Sequence, residues 1–320
     1  MKLKTFALSS IALACLSATS VKADDEWVDV YGKIMVTVDK VNADSTGDDQ
    51  WEVNSNASRF GIKGKGKAGS LEAFYQLEWE VDLADEAKEK NIKSRNQIVG
   101  LRGSFGEVFA GRHDTPTKKL QKKVDLFGDL QGDIKHSLNG EVRADNIIQY
   151  TTPKFAGGLK LKFAVVPGEE TPTGNKLSEG TSFAAEYATG DLNLGFSVDS
   201  DIEGADIQTM RAMTQYKLEN WQFGLLLQNT RDKTNDLEGD ATVASVKYSS
   251  GDNAYKLQFI DSDAYQAGVS SKVKYSSQTS FGYDKKLGKK TTFFTYYTTG
   301  EVADTDVKDN VFGFGVVQKF

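Results

Sequence analysis

Apolar and polar residues alternate with period two along almost the whole chain, the pattern of strands that turn one face to an apolar phase and the other to water. In the first such stretch Val28, Val30, Gly32, Ile34, Val36 and Val38 share one face, and Asp29, Lys33, Thr37 and Asp39 the other. Phe60 and Ile62 oppose Arg59, Lys63 and Lys65. Leu71, Ala73, Tyr75, Leu77, Trp79 and Val81 oppose Glu72, Gln76, Glu78 and Glu80. The same alternation recurs in Leu159–Val165, Leu192–Asp199 and Trp221–Gln228. It predicts strands at about 27–39, 56–67, 70–82, 91–103, 106–112, 143–153, 158–166, 181–189, 191–199, 206–218, 220–230, 241–249, 253–261, 273–285, 290–300 and 309–320. These are sixteen, an even number as in single-chain bacterial barrels.

The connections alternate in length. Short ones, such as Lys67-Ala68-Gly69-Ser70, Gly103-Ser104-Phe105-Gly106 and Ser250-Gly251-Asp252-Asn253, are separated by longer acidic stretches at 40–55, 83–90, 167–180, 231–240, 262–272 and 301–308. In an up-and-down barrel successive connections emerge at opposite rims, so one rim carries turns and the other loops. The longest connection, from His113 to Val142, shows no alternation, and an insert of that size in a compact domain is usually functional. It is expected to fold inward. The reading is therefore all-β: a 16-stranded antiparallel transmembrane up-and-down β-barrel with an infolded third loop. A soluble all-β protein would need a second sheet to cover the apolar strand faces.

Lys2 and Lys4, the apolar stretch Phe6–Leu16 and the small-residue site Val21-Lys22-Ala23 read as a secretory signal, so residues 1–23 are expected to be cleaved and 24–320 to form the barrel. Ala12-Leu13-Ala14-Cys15 is a poor lipoprotein processing site, which leaves Cys15 as filler of the apolar stretch. Loss of the leader removes three lysines and no acid, leaving 36 basic against 45 acidic residues, a net charge of −9 and no cysteine. A hydrogen-bonded ladder, not disulfides, must then hold an exported fold together. No apolar run outside the leader approaches the roughly 20 residues of a membrane-spanning helix.

At this point the sequence resembles the general porins of Gram-negative outer membranes. The resemblance rests on Val28-Asp29-Val30-Tyr31-Gly32-Lys33, on Ser58-Arg59-Phe60-Gly61-Ile62-Lys63-Gly64, on Gly111-Arg112 before the long loop, on Arg143 leading to Gln149-Tyr150-Thr151-Thr152-Pro153, and on the terminal Phe320. It implies a homotrimer of water-filled barrels in contact with outer-membrane lipid and lipopolysaccharide, passing small hydrophilic solutes by passive diffusion. It also carries Lys33, Arg59, Arg112 and Arg143 over as the basic wall of a pore constriction. The third loop supplies the opposing acids in that family. Leu126-Phe127-Gly128-Asp129 lacks the family's glutamate, so Asp125, Asp129 and Asp133 are the candidates. Lys33 and Arg59 lie on the polar strand faces and would point into the lumen, where bases facing acids create a transverse field that favours polar solutes.

Other chemistry finds little footing. Gly64-Lys65-Gly66-Lys67-Ala68-Gly69 matches a dinucleotide fingerprint formally, but a strand follows it where a phosphate-binding helix is required. His113 and His136 have no matching nucleophile and acid, so no catalysis is expected. Asp261 with Asp263, and Asp304 with Asp306 and Asp309, could bridge divalent cations to lipopolysaccharide, although solvated loop charge is the simpler reading. Neither a cofactor, a resident metal nor a nucleic-acid partner is expected. The acidic net charge predicts a modest cation preference. The alternatives are a substrate-specific channel, for example for oligosaccharides, with Trp51, Phe127 and Tyr265 as candidate aromatic contacts, and a barrel whose loops act in adhesion.

Overall fold

The structure is a computed structural model, and it describes residues 26–84, 91–121, 124–168, 177–267 and 273–320. The expected leader, Met1 to Ala23, lies outside the described residues. The described chain forms β1 (Glu26–Ala43), β2 (Asp48–Ser55), β3 (Arg59–Ala68), β4 (Leu71–Val81), β5 (Ile92–Gly103), β6 (Gly106–Asp114), β7 (Arg143–Thr151), β8 (Leu159–Val166) and β9 (Gly180–Thr189). It continues through β10 (Leu192–Ser200), β11 (Ile207–Leu218), β12 (Trp221–Asp232), β13 (Leu237–Ser250), β14 (Asn253–Ser262), β15 (Tyr275–Lys286), β16 (Thr291–Val302) and β17 (Lys308–Lys319). All neighbours pair antiparallel, and β17 pairs with β1 from Lys33↔Lys319 to Ala43↔Asp309, which closes the sheet.

Seventeen elements make sixteen barrel strands because β2 and β3 share one position: β2 pairs with β1 from Val36 to Ala43, and β3 pairs with it from Glu26 to Lys33. The break falls at Asn56–Ser58, where Ala57 takes a left-handed φ of 48°. Buried Ser58 mends the ladder there, its hydroxyl accepting from the Met35 N–H at 3.0 Å and donating to the Met35 carbonyl at 3.1 Å. Much of the stretch expected as a loop at 40–55 is consequently strand, β1 running on to Ala43 between β17 and β2. Alternation is weak along β2, most of which is exposed.

The outward faces are apolar. Trp221, Phe223, Leu225 and Leu227 of β12 are exposed while Gly224, Leu226 and Gln228 between them are buried, as a lipid-facing wall requires. Aromatic pairs gather near the short turns, with the Trp221 and Tyr248 rings 4.7 Å apart and those of Tyr255 and Tyr283 5.4 Å apart, forming part of an interfacial belt. Gly251 has a left-handed φ of 56° in the two-residue turn between β13 and β14, a conformation glycine adopts without steric cost. At the seam Phe320 exchanges backbone hydrogen bonds with Gly32 and lays its ring where a Cβ on that glycine would stand.

Candidate functional site

The connection between β6 and β7 packs against the lumen side of β10–β16. It opens with the short helix α1 (Pro116–Leu120), capped by the Thr115 hydroxyl, which accepts from Lys118 N at 3.2 Å, with proline in the first turn. Leu120, Val124, Ile134 and Leu138 are buried with Met213, Leu226, Val243 and Ile260 of β11 to β14. Inward polar side chains tie down the rest: Gln258 accepts from Leu126 N at 2.8 Å and donates to the Gly132 carbonyl at 2.9 Å, and Gln278 accepts from the Ser137 hydroxyl at 2.9 Å. Each strand glutamine thus satisfies loop groups that would otherwise be orphaned.

Arg211 of β11 holds both ends of the loop at once. Fully buried, it donates to the Thr117 carbonyl at 3.1 Å, the Asn139 carbonyl at 3.0 Å and the Glu141 carboxylate at 2.9 Å, and it braces against Gln228 Oε1. The sequence shows Arg211 on a strand but not its partners, which lie 70 to 94 residues away. Burial pushes the Glu141 carboxyl up to about 7, against the opposing pull of Arg211 and Lys118. A docked Glu141 therefore binds its proton more tightly than an undocked one, whose ordinary value is 4.5. The stability conferred by that proton is complete below about 4.5 and is lost as the pH rises through 7. Open-channel current noise is accordingly expected to grow between pH 5 and pH 8, and Glu141→Gln to flatten that dependence; an unaltered pH profile in the variant would refute the link.

With the β10–β16 side covered, the open path follows the opposite wall. Four cavities share residues in series. The outermost, about 390 Å³ between Asp48 and Asp309, shares Ser55, Asn56, Asp129 and Lys135 with a second of about 890 Å³. The second shares Gln76 and Lys119 with a third of about 570 Å³. The third shares Arg102, Glu107, Thr151 and Lys160 with a fourth of about 730 Å³ that opens beside the short turns at Gly69 and Gly103. The chain thus runs from the long-loop rim to the short-turn rim.

The second cavity holds most of the expected site residues. Lys33 Nζ lies 2.8 Å and Arg59 Nη1 3.5 Å from the Asp129 carboxylate, and Arg59 also lies 3.9 Å from Glu78. Arg143 pairs with Asp114 at 3.0 Å and donates to Asn96 Oδ1 at 3.0 Å. Asp129 has a left-handed φ of 70°, tolerable for aspartate, and its backbone N–H donates to Asp133 at 2.8 Å. Burial alone would raise the Asp129 carboxyl; Lys33, by charge and hydrogen bond, and Arg59 outweigh it and hold the group below the usual carboxylate range. Asp133 caps the turn Ile134–His136 through Lys135 N. Asp125 accepts from Phe127 N at 2.9 Å, but its Oδ2 is buried without a partner, and burial together with nearby Asp133 raises this carboxyl well above its ordinary value. The structure therefore brings Lys33, Arg59 and Asp129 into direct contact.

Arg112 stands apart. Gly111 has φ 140° and a Cβ there would meet the Gln97 carbonyl at 2.1 Å, and the β6–β7 register shifts between Gly111 and His113. Unbroken alternation along β6 puts Arg112 with exposed Ala110 on the face of its register partner Gln97, opposite buried Phe109 and His113, and there it pairs with exposed Asp145. Two groups not singled out from the sequence replace it. Arg95 pairs with Glu78 at 2.8 Å and with Glu80, and Lys118 and Lys119 of α1 each lie 3.7 Å from Asp114. A register shift between Leu77 and Trp79, opposite Arg95, hides it from a strict two-residue count. Phe127 is buried under the loop and Trp51 is exposed on the β1–β2 hairpin, so these two do not line up with Tyr265 as an aromatic track. Among the described residues no group of three or more His, Cys, Asp or Glu could hold a metal ion.

A sequence model described as Gram-negative porin matches residues 7–305. The chain belongs to the Gram-negative porin family. It is 30% identical over 314 residues to outer membrane porin protein 32 of Delftia acidovorans, spanning 89% of this chain and 87% of the relative. Among solved structures, the anion-selective porin from Comamonas acidovorans superposes with a TM-score of 0.75 at 22% identity, over 92% of this chain and 99% of the other. The trimer form of OmpT of Vibrio cholerae gives 0.65 at 14% identity, over 93% of this chain and all of the other. The protein is an outer-membrane porin of a Gram-negative bacterium, and at the family level its relatives are channels rather than enzymes.

Proposed function

We propose that this porin conducts small hydrophilic solutes and ions by passive diffusion along the β3–β8 wall, with an anion preference and without catalysis. The observation that carries the reading is the charge of the path. At the outer mouth Asp39, Asp48, Glu52, Asp129 and Asp309 outnumber Lys135 and Lys274. Beyond the loop, the third cavity meets six lysines and arginines against Asp29 and Glu107. Between them, Asp125 and Glu141 are the acids that burial drives toward neutrality. Net acidity suggested a modest cation preference, but loop charges in open water are screened over about 8 Å at physiological salt. Charges confined in the inner half are screened less, and their sign favours anions. The description of the Comamonas acidovorans relative as anion-selective agrees with this reading.

A trimer in contact with lipid and lipopolysaccharide completes the proposal, as does removal of residues 1–23 on export. The Arg112–Asp145 pair on the outward face supports a protein-covered wall, since such charges are costly against hydrocarbon. In a tenfold potassium chloride gradient across a planar bilayer, the reversal potential is expected to take the sign of a chloride-preferring channel, and a potassium-preferring sign would contradict the proposal. Swelling of liposomes in a graded sugar series should decline smoothly with sugar size; saturation by one sugar would favour a specific channel instead.

A further inference from the structure

The third cavity differs from the others in being both basic and apolar. Lys63, Lys65, Arg102, Lys160 and Lys162 reach it from β3, β5 and β8, while Phe74, Ile98 and Phe109 line it from β4, β5 and β6. Phe74 carries the Arg102 guanidinium 5.2 Å above its ring, and Phe109 lies 4.7 Å from the His113 ring. Diffusion alone requires no apolar floor in a lumen, and inward phenylalanines remove hydrogen-bonding partners from the water passing them. At about 570 Å³ the cavity has the size of a small-molecule site.

The basic groups are unequally occupied. Lys63 pairs with Asp29 at 3.1 Å, Lys162 with Glu186, and Arg102 with Glu72 and, at 3.7 Å, with Glu107. Lys160, at the junction of the third and fourth cavities, forms no ion pair among those observed between described residues. Lys160 lines the same cavity as Phe74, and Phe109 is buried at its edge.

We propose that this chamber is a saturable site for a small organic anion with an apolar body, of the chemical class of a single-ring aromatic carboxylate. The carboxylate is bound by Lys160 with help from Arg102, and the ring rests against partly buried Phe74, which packs on the buried cluster of Phe109 and Ile98. The inference rests on the path described above but not on the sign of its ion preference. Such a site would slow these solutes enough to concentrate them in the lumen without trapping them, the condition for facilitated passage.

The test is single-channel recording in chloride with benzoate added from the short-turn side. Benzoate should produce brief current interruptions whose frequency saturates. Acetate, with charge and no ring, and benzyl alcohol, with ring and no charge, should require at least about tenfold higher concentration for the same effect, the scale of one charge-assisted hydrogen bond or one buried ring face. Lys160→Gln and Phe74→Ser should each weaken benzoate by about tenfold while the open channel still conducts. Equal effects of acetate and benzoate, or unchanged benzoate interruptions in both conducting variants, would overturn the site. A conducting, chloride-preferring channel without benzoate interruptions would overturn it while leaving the proposed function standing; a potassium-preferring channel that benzoate still interrupts would do the reverse.

Discussion

Replacing Arg211 by methionine is expected to loosen the third long loop at both ends and to turn a steady channel into a fluctuating one. The guanidinium joins Thr117, Asn139 and Glu141 to β11 through one side chain. Methionine fills much of the volume but supplies no donor, so the Thr117 carbonyl loses its donor and Glu141 its counter-charge, while the Asn139 carbonyl keeps Gln228 Nε2 at 3.0 Å and Glu141 keeps Gln121 Nε2 at 3.3 Å. Removing one member of a buried ion pair typically costs about 3–5 kcal/mol, because the other charge stays buried. Loop docking should weaken by that order, read as increased open-channel noise and as protease cleavage within 115–142 in a barrel that still resists heating in detergent. At a pH high enough to ionise Glu141, adding Glu141→Gln should recover part of the loss, since it removes the uncompensated charge. Quiet recordings and an uncut loop in Arg211→Met would show that the apolar contacts of Leu120, Val124, Ile134 and Leu138 suffice alone.

A second large effect is expected from Asp129→Asn. Asparagine tolerates the left-handed conformation at this position and keeps the shape, so the change is chiefly one of charge. Lys33 and Arg59 would then lose the carboxylate that both approach, adding one net positive charge to the second cavity. An unbalanced charge about 8 Å from a passing ion, at effective dielectric constants between about 20 and 80, is worth roughly 0.5–2 kcal/mol. Chloride permeability should rise by about two- to thirtyfold and potassium permeability fall, both less at high salt. Arg112→Ala serves as the contrast: its partner is Asp145 on the outward face, so conductance and selectivity should not move. A selectivity change in Arg112→Ala equal to that in Asp129→Asn would mean that this arginine does not face away from the lumen.

The barrel was legible in the sequence because strand alternation is a local signal imposed by the two solvents that the wall separates. Val28 to Val38 and Phe312 to Phe320 present the faces their spacing predicts. Legibility failed where the alternation is weak, slips or is overridden. Strand β2 is exposed along most of its length, and Trp51 and Val53 alone do not announce it. Resemblance placed Arg112 in the lumen although its spacing from Val108 and Ala110 puts it on the outward face, and the slip opposite Arg95 conceals an arginine that faces Glu78 and Glu80. The loop acids could be enumerated but not ranked. Asp129 reaches Lys33 across 96 residues of sequence, whereas Asp125 and Asp133 are taken up by the loop's own backbone, and only tertiary packing distinguishes these fates. Selectivity misled for a related reason: net charge averages an acidic outer mouth with a basic interior, and an ion crosses them one after the other.

The central claim is that water and solutes pass along the β3–β8 wall while the loop covers the opposite one. Cys15 is the only cysteine of the chain and lies in the expected leader, so single cysteines can be introduced cleanly. Conductance should be recorded before and after a charged, water-soluble thiol reagent for Gln76→Cys in the path, Ser280→Cys beneath the loop and Val99→Cys on the lipid face. The account predicts a stepwise conductance change for Gln76→Cys alone. A change for Ser280→Cys with none for Gln76→Cys would place the path on the wrong wall and contradict it.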